Sequence, residues 1–267
     1  MLHEFAYSSQ DFRRARQMIA AYAGISLHER KENMVYNRLA RRMRAIGSRS
    51  VSEYLDRVEA PGSAEREGFV NAMTTNLTAF FREPHHFERL RELAAQTPRR
   101  LRVWSSACST GEEAWSAAMA VSEAGRSGEI FASDIDTDAL SVARTAIYRL
   151  DAVEHLDAPR IRRHFMRGVG PQEGLVQLRP ELRGLVKFAS RNLLAPDWPV
   201  QDRFDVVFCR NVMIYFDRET QQRLLDRFAG VLAPGGILFL GHSENCATGH
   251  PAFRALGKTA YERCTKP

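Results

Sequence analysis

Small and acidic residues in the middle of the chain carry its strongest chemical signal. An apolar run at residues 101–104 leads into a loop of small residues, which Glu112 and Glu113 follow. A helix-like segment and a second apolar run then end in Asp134 and Asp136. Small residues let the backbone approach a ligand, and an acid at the tip of the second strand, roughly 20 residues on, accepts both hydroxyls of a ribose. The pattern predicts a strand–loop–helix–strand unit that binds an adenosine-containing ligand.

The loop between the first strand and the helix argues against a dinucleotide. Its sequence ACSTG (107–111) has one glycine, whereas the G-x-G-x-x-G fingerprint has three, which disfavours an NAD oxidoreductase. Glu112 and Glu113 at a helix N-terminus suit a cationic group better than a pyrophosphate. S-adenosylmethionine carries a ribose, a sulfonium and an ammonium but no phosphate. The two acids could instead only complement the helix dipole, but together with Asp134 they favour this ligand.

Composition places the chain among ordinary globular proteins. It has 267 residues, 44% hydrophobic and 26% charged, which is enough for one large domain and a smaller one. The four cysteines have no metal-ligand spacing, and we expect no disulfide framework and a reducing compartment. No apolar run approaches the roughly 18 residues of a membrane span and no signal peptide is evident. We therefore expect a cytoplasmic protein without membrane insertion.

The first eighty residues are predicted to be helical, with one strongly basic helix. Apolar residues recur at helical spacing in four segments, 11–23, 30–46, 52–58 and 64–73. In the second segment Arg38, Arg41 and Arg44 recur at three-residue steps, and no acids balance this face. The net charge of +6 agrees with an acidic partner. The face is either a solvated surface or a site for nucleic acid or an acidic protein.

The connector at residues 74–86 leads into the sheet domain. Pro84 suits the first turn of a helix there. His85 and His86 form a pair without a cysteine or carboxylate at zinc spacing, so we predict no metal site. Further along, 174–178 and 182–188 read as two strands around a turn, which predicts an inserted antiparallel hairpin. Continuous apolar runs at 204–208 and 237–240 are typical of buried parallel strands.

Seven motifs follow one another along the chain. They are MVYNRLARRMRAIG (34–47), TTNLTAFFREPHHF (74–87), VWSSACSTGEEAWS (103–116), FASDIDTDAL (131–140), HFMRGVGPQEGLV (164–176), CRNVMIYFD (209–217) and GHSEN (241–245). With these motifs, nearly the whole chain resembles the chemotaxis receptor methyltransferases, the CheR family. The resemblance implies an α/β fold with a Rossmann-like class I methyltransferase sheet. It also implies an N-terminal all-helical receptor-recognition domain (1–80), a methyltransferase domain (81–267) and a small antiparallel β-subdomain inserted at about 155–190.

The resemblance further implies the residues of the site and its cofactor, S-adenosylmethionine, with S-adenosylhomocysteine as product. The cofactor-binding residues that it implies are Asn76, Thr78, Arg82, Glu113, Asp134, Asn192, Leu193, Arg210 and Asn211. Among them Glu113 contacts the methionine part, Asp134 the ribose hydroxyls, and Asn192 with Leu193 the adenine. Arg82 and Tyr215 lie near the transferred methyl group and are the catalytic candidates.

The implied reaction is the esterification of receptor glutamates. A glutamate has a pKa of about 4.3 and is already ionised, so alignment and desolvation matter more than a general base. We assign Arg82 to orienting the carboxylate and Tyr215 to donating a hydrogen bond to it. The surface implied to engage acidic receptor helices consists of Arg38, Arg41, Arg42 and Arg44. The turn with Gly168 and Gly170 resembles the β-subdomain that binds a receptor's C-terminal peptide as an added strand.

Two other functions compete with this interpretation. A nucleic-acid methyltransferase would explain the basic helix, but such enzymes commonly carry an Asn-Pro-Pro-aromatic loop where this chain has residues 209–212, CRNV. A cofactor-binding adaptor without turnover would dock on receptors, but the presence of Arg82 and Tyr215 argues against it. We expect a monomer with no nucleic acid partner.

Overall fold

The computed structural model describes residues 4–198 and 203–264. Its N-terminal part consists of helices α1 (Ser9–Ala23), α2 (Glu32–Ile46), α3 (Val51–Glu59) and α4 (Glu65–Met73). Val35, Leu39 and Met43 of α2 are fully buried because a spacing of four residues places them on one stripe of the helix. Gly47 ends α2 in the left-handed conformation, with φ of 73°. The predicted helical N-terminal part is confirmed.

The rest of the chain alternates strands with helices. The strands are β1 (Leu101–Ser105), β2 (Gly128–Asp134), β3 (Ile147–Arg149), β4 (Phe165–Arg167), β5 (Leu175–Leu178), β6 (Val186–Ser190), β7 (Phe204–Cys209), β8 (Leu232–Leu240), β9 (Phe253–Gly257) and β10 (Ala260–Arg263). The helices are α5 (Pro84–Gln96), α6 (Glu112–Glu123), α7 (Thr137–Thr145), α8 (Ala158–His164), α9 (Pro180–Arg183) and α10 (Arg218–Val231). Within the described residues, every helix is too short or too polar to cross a bilayer.

Seven strands form the main sheet, in the order β6-β2-β1-β7-β8-β10-β9. The strands from β6 to β8 are parallel, while β10 and β9 close one side in antiparallel fashion. Along β1, Val103 belongs to the apolar cluster on the face covered by α5 and α6, and Trp104 to the cluster on the face covered by α10. Burial on both faces explains the continuous apolar runs. The predicted Rossmann-like α/β architecture is confirmed.

A separate three-stranded antiparallel sheet has the order β3-β5-β4. The predicted hairpin of 174–178 with 182–188 is wrong, because β5 pairs with β3 and β4, whereas β6 joins the main sheet parallel to β2. Pro180 begins the short helix α9 between them. Val186 of β6 is opposite Ile130 and is buried, so apolar burial against β2 outweighs a local turn.

The parallel strands determine where the site can form. Their carboxyl ends lie at one edge of the sheet, next to the topological switch between β1 and its neighbours β2 and β7. The loops after β1, β2, β6, β7 and β8 therefore converge there. The loops after β6 and β7 carry Asn192, Leu193, Arg210, Asn211 and Tyr215, and Asp134 ends β2 at the same edge.

Candidate functional site

A cavity of about 460 Å³ lies at this edge of the sheet. Its lining comes from the connector between α4 and α5, the ends of β1, β2, β6 and β7, the loop after α1, and α2. The volume falls in the range that small-molecule sites occupy. Each of the nine residues expected at the cofactor lines this cavity, and so does Tyr215. The sequence-derived residues are thus brought together.

Asp134 occupies the tip of β2 at the cavity. One carboxylate oxygen accepts the backbone N–H of Ser109 at 2.7 Å and the other accepts that of Asp136 at 2.9 Å. Burial raises the pKa of Asp134, and the two backbone N–H donors oppose that rise. Each oxygen keeps a further lone pair, so the carboxylate can accept two vicinal hydroxyls while its position is held by the backbone.

Only one of the two glutamates at the start of α6 belongs to the cavity. Glu113 lines it and accepts hydrogen bonds from Ser105 Oγ at 2.7 Å and from Arg210 Nη1 at 3.1 Å. Burial raises the pKa of Glu113 and the guanidinium of Arg210 opposes that rise. Glu112 accepts instead from Thr110 Oγ1 at 2.7 Å and does not line the cavity. We expected both glutamates to contact the cationic part of the ligand, but only Glu113 lies at the cavity.

Arg210 joins the connector to the sheet. It is 6% exposed, and besides Glu113 it bonds the backbone carbonyl of Arg82 and lies 3.5 Å from the carboxylate of Glu83. Two carboxylates and a carbonyl compensate its buried charge. The side chain thus holds Arg82 and Glu113 in one arrangement, which the sequence alone did not indicate.

Asn211, the next residue, has a left-handed backbone with φ of 57°. Its backbone N–H is held by the carboxylate of Glu244, in the GHSEN motif. Glu244 is 3% exposed and accepts backbone N–H groups from Gly241 at 2.6 Å, Asn211 at 2.8 Å and Ile214 at 3.2 Å. Burial raises the pKa of Glu244 and the backbone donors oppose the rise. A Cβ at Gly241 would lie 2.5 Å from Asn211 Nδ2, so this close approach requires glycine. Sequence reasoning assigned Glu244 no role, although its motif was noted.

Asn76 is held by the protein itself. Its amide nitrogen donates to Asp136 at 2.7 Å and its amide oxygen accepts from Ser109 Oγ at 3.0 Å. Asp136 also accepts from Thr74 Oγ1 at 2.5 Å and caps α7. These hydrogen bonds hold the connector against the end of β2. Thr78 lines the cavity further along the connector.

The catalytic candidates Arg82 and Tyr215 both line the cavity. Arg82 Nη1 donates to the carbonyl of Leu77 at 2.7 Å, which closes the connector into a loop. Tyr215 lies in a short 3₁₀ helix, and its carbonyl accepts the backbone N–H of Ser26 at 2.9 Å. The helical N-terminal part and the loop after β7 therefore meet at Tyr215.

The N-terminal part also forms the wall next to β6. Asn192 donates to the carbonyl of Tyr22 at 2.9 Å and accepts the backbone N–H of Leu194. Leu193 is buried beside it. The two residues expected at the adenine thus lie where the loop after β6 contacts the end of α1.

The four arginines of α2 lie in three different settings. Arg38 lines the cavity and donates to the carbonyls of Met73 and Thr74, both at 2.6 Å. Arg42 is paired with Glu65 at 2.5 Å, and Arg44 with Glu4 at 2.5 Å. The expectation that no acids balance the arginines of this helix is therefore wrong for Arg42 and Arg44, because acids distant in sequence fold against them. Arg41 is exposed.

Gly168 and Gly170 lie apart from the cavity, in the turn between β4 and β5. The backbone N–H of Gly168 donates to the carbonyl of Leu175 at 2.9 Å, and Gly170 has φ of 58°. A Cβ at Gly168 would lie 2.0 Å from the carbonyl oxygen of Gln172. Both glycines therefore shape the turn, with Val169 between them 80% exposed.

The His85–His86 pair has a carboxylate within ligand distance, Glu83, contrary to the expectation that none lies at a suitable spacing. Glu83, His85 and His86 place ligand-type atoms within 4.8 Å of one another. Both imidazoles lie within hydrogen-bond distance of the Lys258 carbonyl, and Glu83 also faces the positive charge of Arg210. These contacts give the three side chains partners within the protein. The absence of a metal site stays a prediction.

Comparison with known proteins agrees with this geometry. Residues 76–261 match the family model described as "CheR methyltransferase, SAM binding domain", and residues 10–74 match "CheR methyltransferase, all-alpha domain". A "Chemotaxis protein methyltransferase" of Salmonella typhimurium is 49% identical, covering 98% of this chain and 92% of that protein. One from Escherichia coli is 48% identical, covering 98% and 93%. "Chemotaxis protein methyltransferase 2" of Pseudomonas aeruginosa is 47% identical, covering 97% and 94%.

Proposed function

The chain belongs to the CheR methyltransferase family, and we propose that it forms γ-methyl esters on glutamates in the cytoplasmic helices of bacterial chemoreceptors. The family models and the relatives support S-adenosylmethionine-dependent methylation of chemoreceptors. One observation carries the finer assignment. A single cavity combines Asp134 and Glu113, which suit the cofactor, with Arg82 and Tyr215, which suit an acceptor carboxylate.

The donor set of the cavity fits S-adenosylmethionine. Asp134 offers acceptors for ribose hydroxyls, and Glu113 offers negative charge for a cationic ligand. Arg210 is occupied by Glu113 and the connector, so it is not free to bind a pyrophosphate. We propose that Asn211 and Leu193 complete the cofactor site, and that Asn76 acts mainly by holding the connector on Asp136.

When bound, the cofactor supplies a methyl group on a positively charged sulfur. The work of the chain is to hold and desolvate an acceptor carboxylate in line with that group, since a glutamate is already ionised. We propose that Arg82 orients the carboxylate and that Tyr215 donates a hydrogen bond to one of its oxygens. The contact of Arg82 with the Leu77 carbonyl limits how closely its charge neutralises the nucleophile.

We propose that the acidic receptor helix docks along α2. Lys31, Met34 and Arg38 line the cavity, and Arg41 continues their stripe at helical spacing. Arg42 and Arg44 add less attraction, because their charges are paired with glutamates. This proposal predicts that Arg41→Ala raises the KM for receptor more than Arg44→Ala does.

We also propose that the small sheet tethers a receptor's C-terminal peptide as an added strand. Because β5 is paired on both sides, only β3 and β4 can accept another strand. Along an antiparallel strand, N–H groups that point toward the partner strand alternate with N–H groups that point away from it. The Gly168 N–H donates to the carbonyl of Leu175 in β5, so the N–H of its neighbour Arg167 points away from β5. Arg167→Pro would remove that donor. It should weaken binding to full receptors and spare turnover of a fragment without the tail.

The two family models meet between residues 74 and 76. This junction supports the proposed division into a helical receptor-recognition domain (1–80) and a methyltransferase domain (81–267), with the insertion at about 155–190.

A labelled-methyl experiment tests the proposal. The protein is mixed with S-adenosylmethionine labelled in its methyl group and with membranes that carry receptors. We expect incorporated label that mild base releases, as a carboxyl ester requires, and little label with Arg82→Ala. Base-stable label would refute ester formation. Binding of the cofactor without any transfer would instead support an adaptor.

A further inference from the structure

Two exposed apolar side chains lie at the cavity, and the cofactor site does not explain them. Leu77 is 78% exposed and Ile214 is 57% exposed, although both line the cavity. They come from the connector and from the loop after β7, far apart in the chain. Among the described residues, the other large exposed hydrophobic side chains, Val142, Ile147 and Val169, do not line it.

The backbones of both residues are held by hydrogen bonds from the site itself. The carbonyl of Leu77 accepts from Arg82 Nη1 at 2.7 Å, and the N–H of Ile214 donates to Glu244 Oε1 at 3.2 Å. Ile214 is also directly followed by Tyr215. The backbone of each apolar residue is therefore held beside one catalytic candidate. A partner that covers these side chains does not have to order the backbone that carries them.

We propose that Leu77 and Ile214 form an apolar rim that packs against the acceptor helix of the receptor, around the glutamate that is methylated. This inference rests on the proposed function and names the surface that binds its substrate. The acceptor carboxylate must enter the cavity beside Arg82 and Tyr215, so the acceptor helix has to cover the residues next to them. Covering an apolar rim removes water from the carboxylate, which in-line attack requires.

Positive charge that lines the same cavity supports a helix of acidic, amphipathic character as the occupant. Lys31, just before α2, and Arg38 line the cavity, and exposed Arg41 lies three residues beyond Arg38 on α2. A helix with acids toward α2 and apolar side chains toward the rim would match both surfaces. The competing occupant is the cofactor itself, and the experiment separates the two.

The test uses Leu77→Ser and Ile214→Ser in the full chain, with Val142→Ser, an exposed apolar residue of α7 away from the cavity, as the matched control. Turnover is measured on a soluble receptor fragment, and affinity for S-adenosylhomocysteine is measured by calorimetry. We expect each rim variant to lower kcat/KM on the order of tenfold, because an apolar contact is lost. Cofactor-product affinity should change less than about twofold, and Leu77→Met should keep most of the activity.

Several results would overturn the proposal that the rim binds the acceptor helix. An unchanged kcat/KM in both rim serine variants would do so, as would an equal loss in the control variant Val142→Ser. A loss of cofactor-product affinity as large as the loss of turnover would assign these side chains to the cofactor. Wild-type protein that binds cofactor but labels no receptor fragment would instead refute the proposed function, and the rim with it. Because the variants change exposed side chains, we expect their unfolding midpoints to match the wild type.

Discussion

Glu244→Gln offers a sharp test of how the loop after β7 is held. The carboxylate accepts three backbone N–H groups, from Gly241, Asn211 and Ile214, at 2.6, 2.8 and 3.2 Å. A glutamine side chain has one oxygen where glutamate has two, so it can accept from either the Gly241 and Asn211 N–H groups or the Ile214 N–H, but not from both. If it keeps Gly241 and Asn211, its NH₂ faces the N–H of Ile214, and that hydrogen bond becomes a contact between two donors.

The magnitude follows from these bonds. Loss of one charge-assisted bond costs about 1.5–3 kcal/mol, and the other two weaken because the acceptor is no longer charged. Burial raises the pKa of Glu244, so the ionised form carries a desolvation cost that a neutral amide avoids. The two effects oppose each other, and we expect a net loss of about 2 kcal/mol in the free energy of unfolding.

The functional consequence should exceed the loss of stability. Asn211 and the 3₁₀ turn with Tyr215 depend on Glu244, so we expect the Kd for S-adenosylhomocysteine to rise on the order of tenfold. Glu123→Gln is the matched control, since Glu123 bonds Arg160 and His164 and does not line the cavity. Urea unfolding and calorimetry are measured on both variants. Equal cofactor-product affinity in the two variants would refute the argument.

Three further perturbations probe the site and the fold around it. Burial lowers the pKa of His86 from 6.5 to about 3, so below pH 6.5 the unfolded chain binds a proton that the folded chain does not. The free energy of unfolding should be highest above pH 6.5 and lower by about 2 kcal/mol at pH 5. Urea unfolding of His86→Phe should not show this loss. Asp134→Asn should raise the Kd for the cofactor product on the order of 100-fold while the protein stays folded, and unchanged calorimetric affinity would contradict the ribose assignment. Gly241→Ala should destabilise by about 1–3 kcal/mol, because its Cβ would meet Asn211 at 2.5 Å. The control is Gly230→Ala in α10, where the added Cβ has open space and should be neutral or stabilising by up to about 1 kcal/mol. A larger loss of stability in Gly230→Ala than in Gly241→Ala would contradict the packing argument.

Local patterns in the sequence determined much of this protein. A loop of small residues between two apolar runs, followed by Asp134, indicated an adenosine-type site, because strand, turn and helix propensities act over a few residues. Glu113 followed from the same segment. The ordered motifs carried the resemblance to the family, and with it the residues that the cavity brings together.

Tertiary structure decided what depends on distant contacts. Periodicity identified β5 and β6 as strands but could not choose their partners, and burial against β2 drew β6 into the main sheet. The charges of Arg42 and Arg44 looked unpaired until Glu65 and Glu4 folded against them. Glu244 acquires its role only because loops from separate strands meet at one edge of the sheet, where buried backbone donors require a carboxylate. Asp136 accepts the side-chain amide of Asn76 only because the distant connector folds against the end of β2. Residue types and local spacing are encoded along the chain, whereas the identity of a partner is set by which surfaces become buried together.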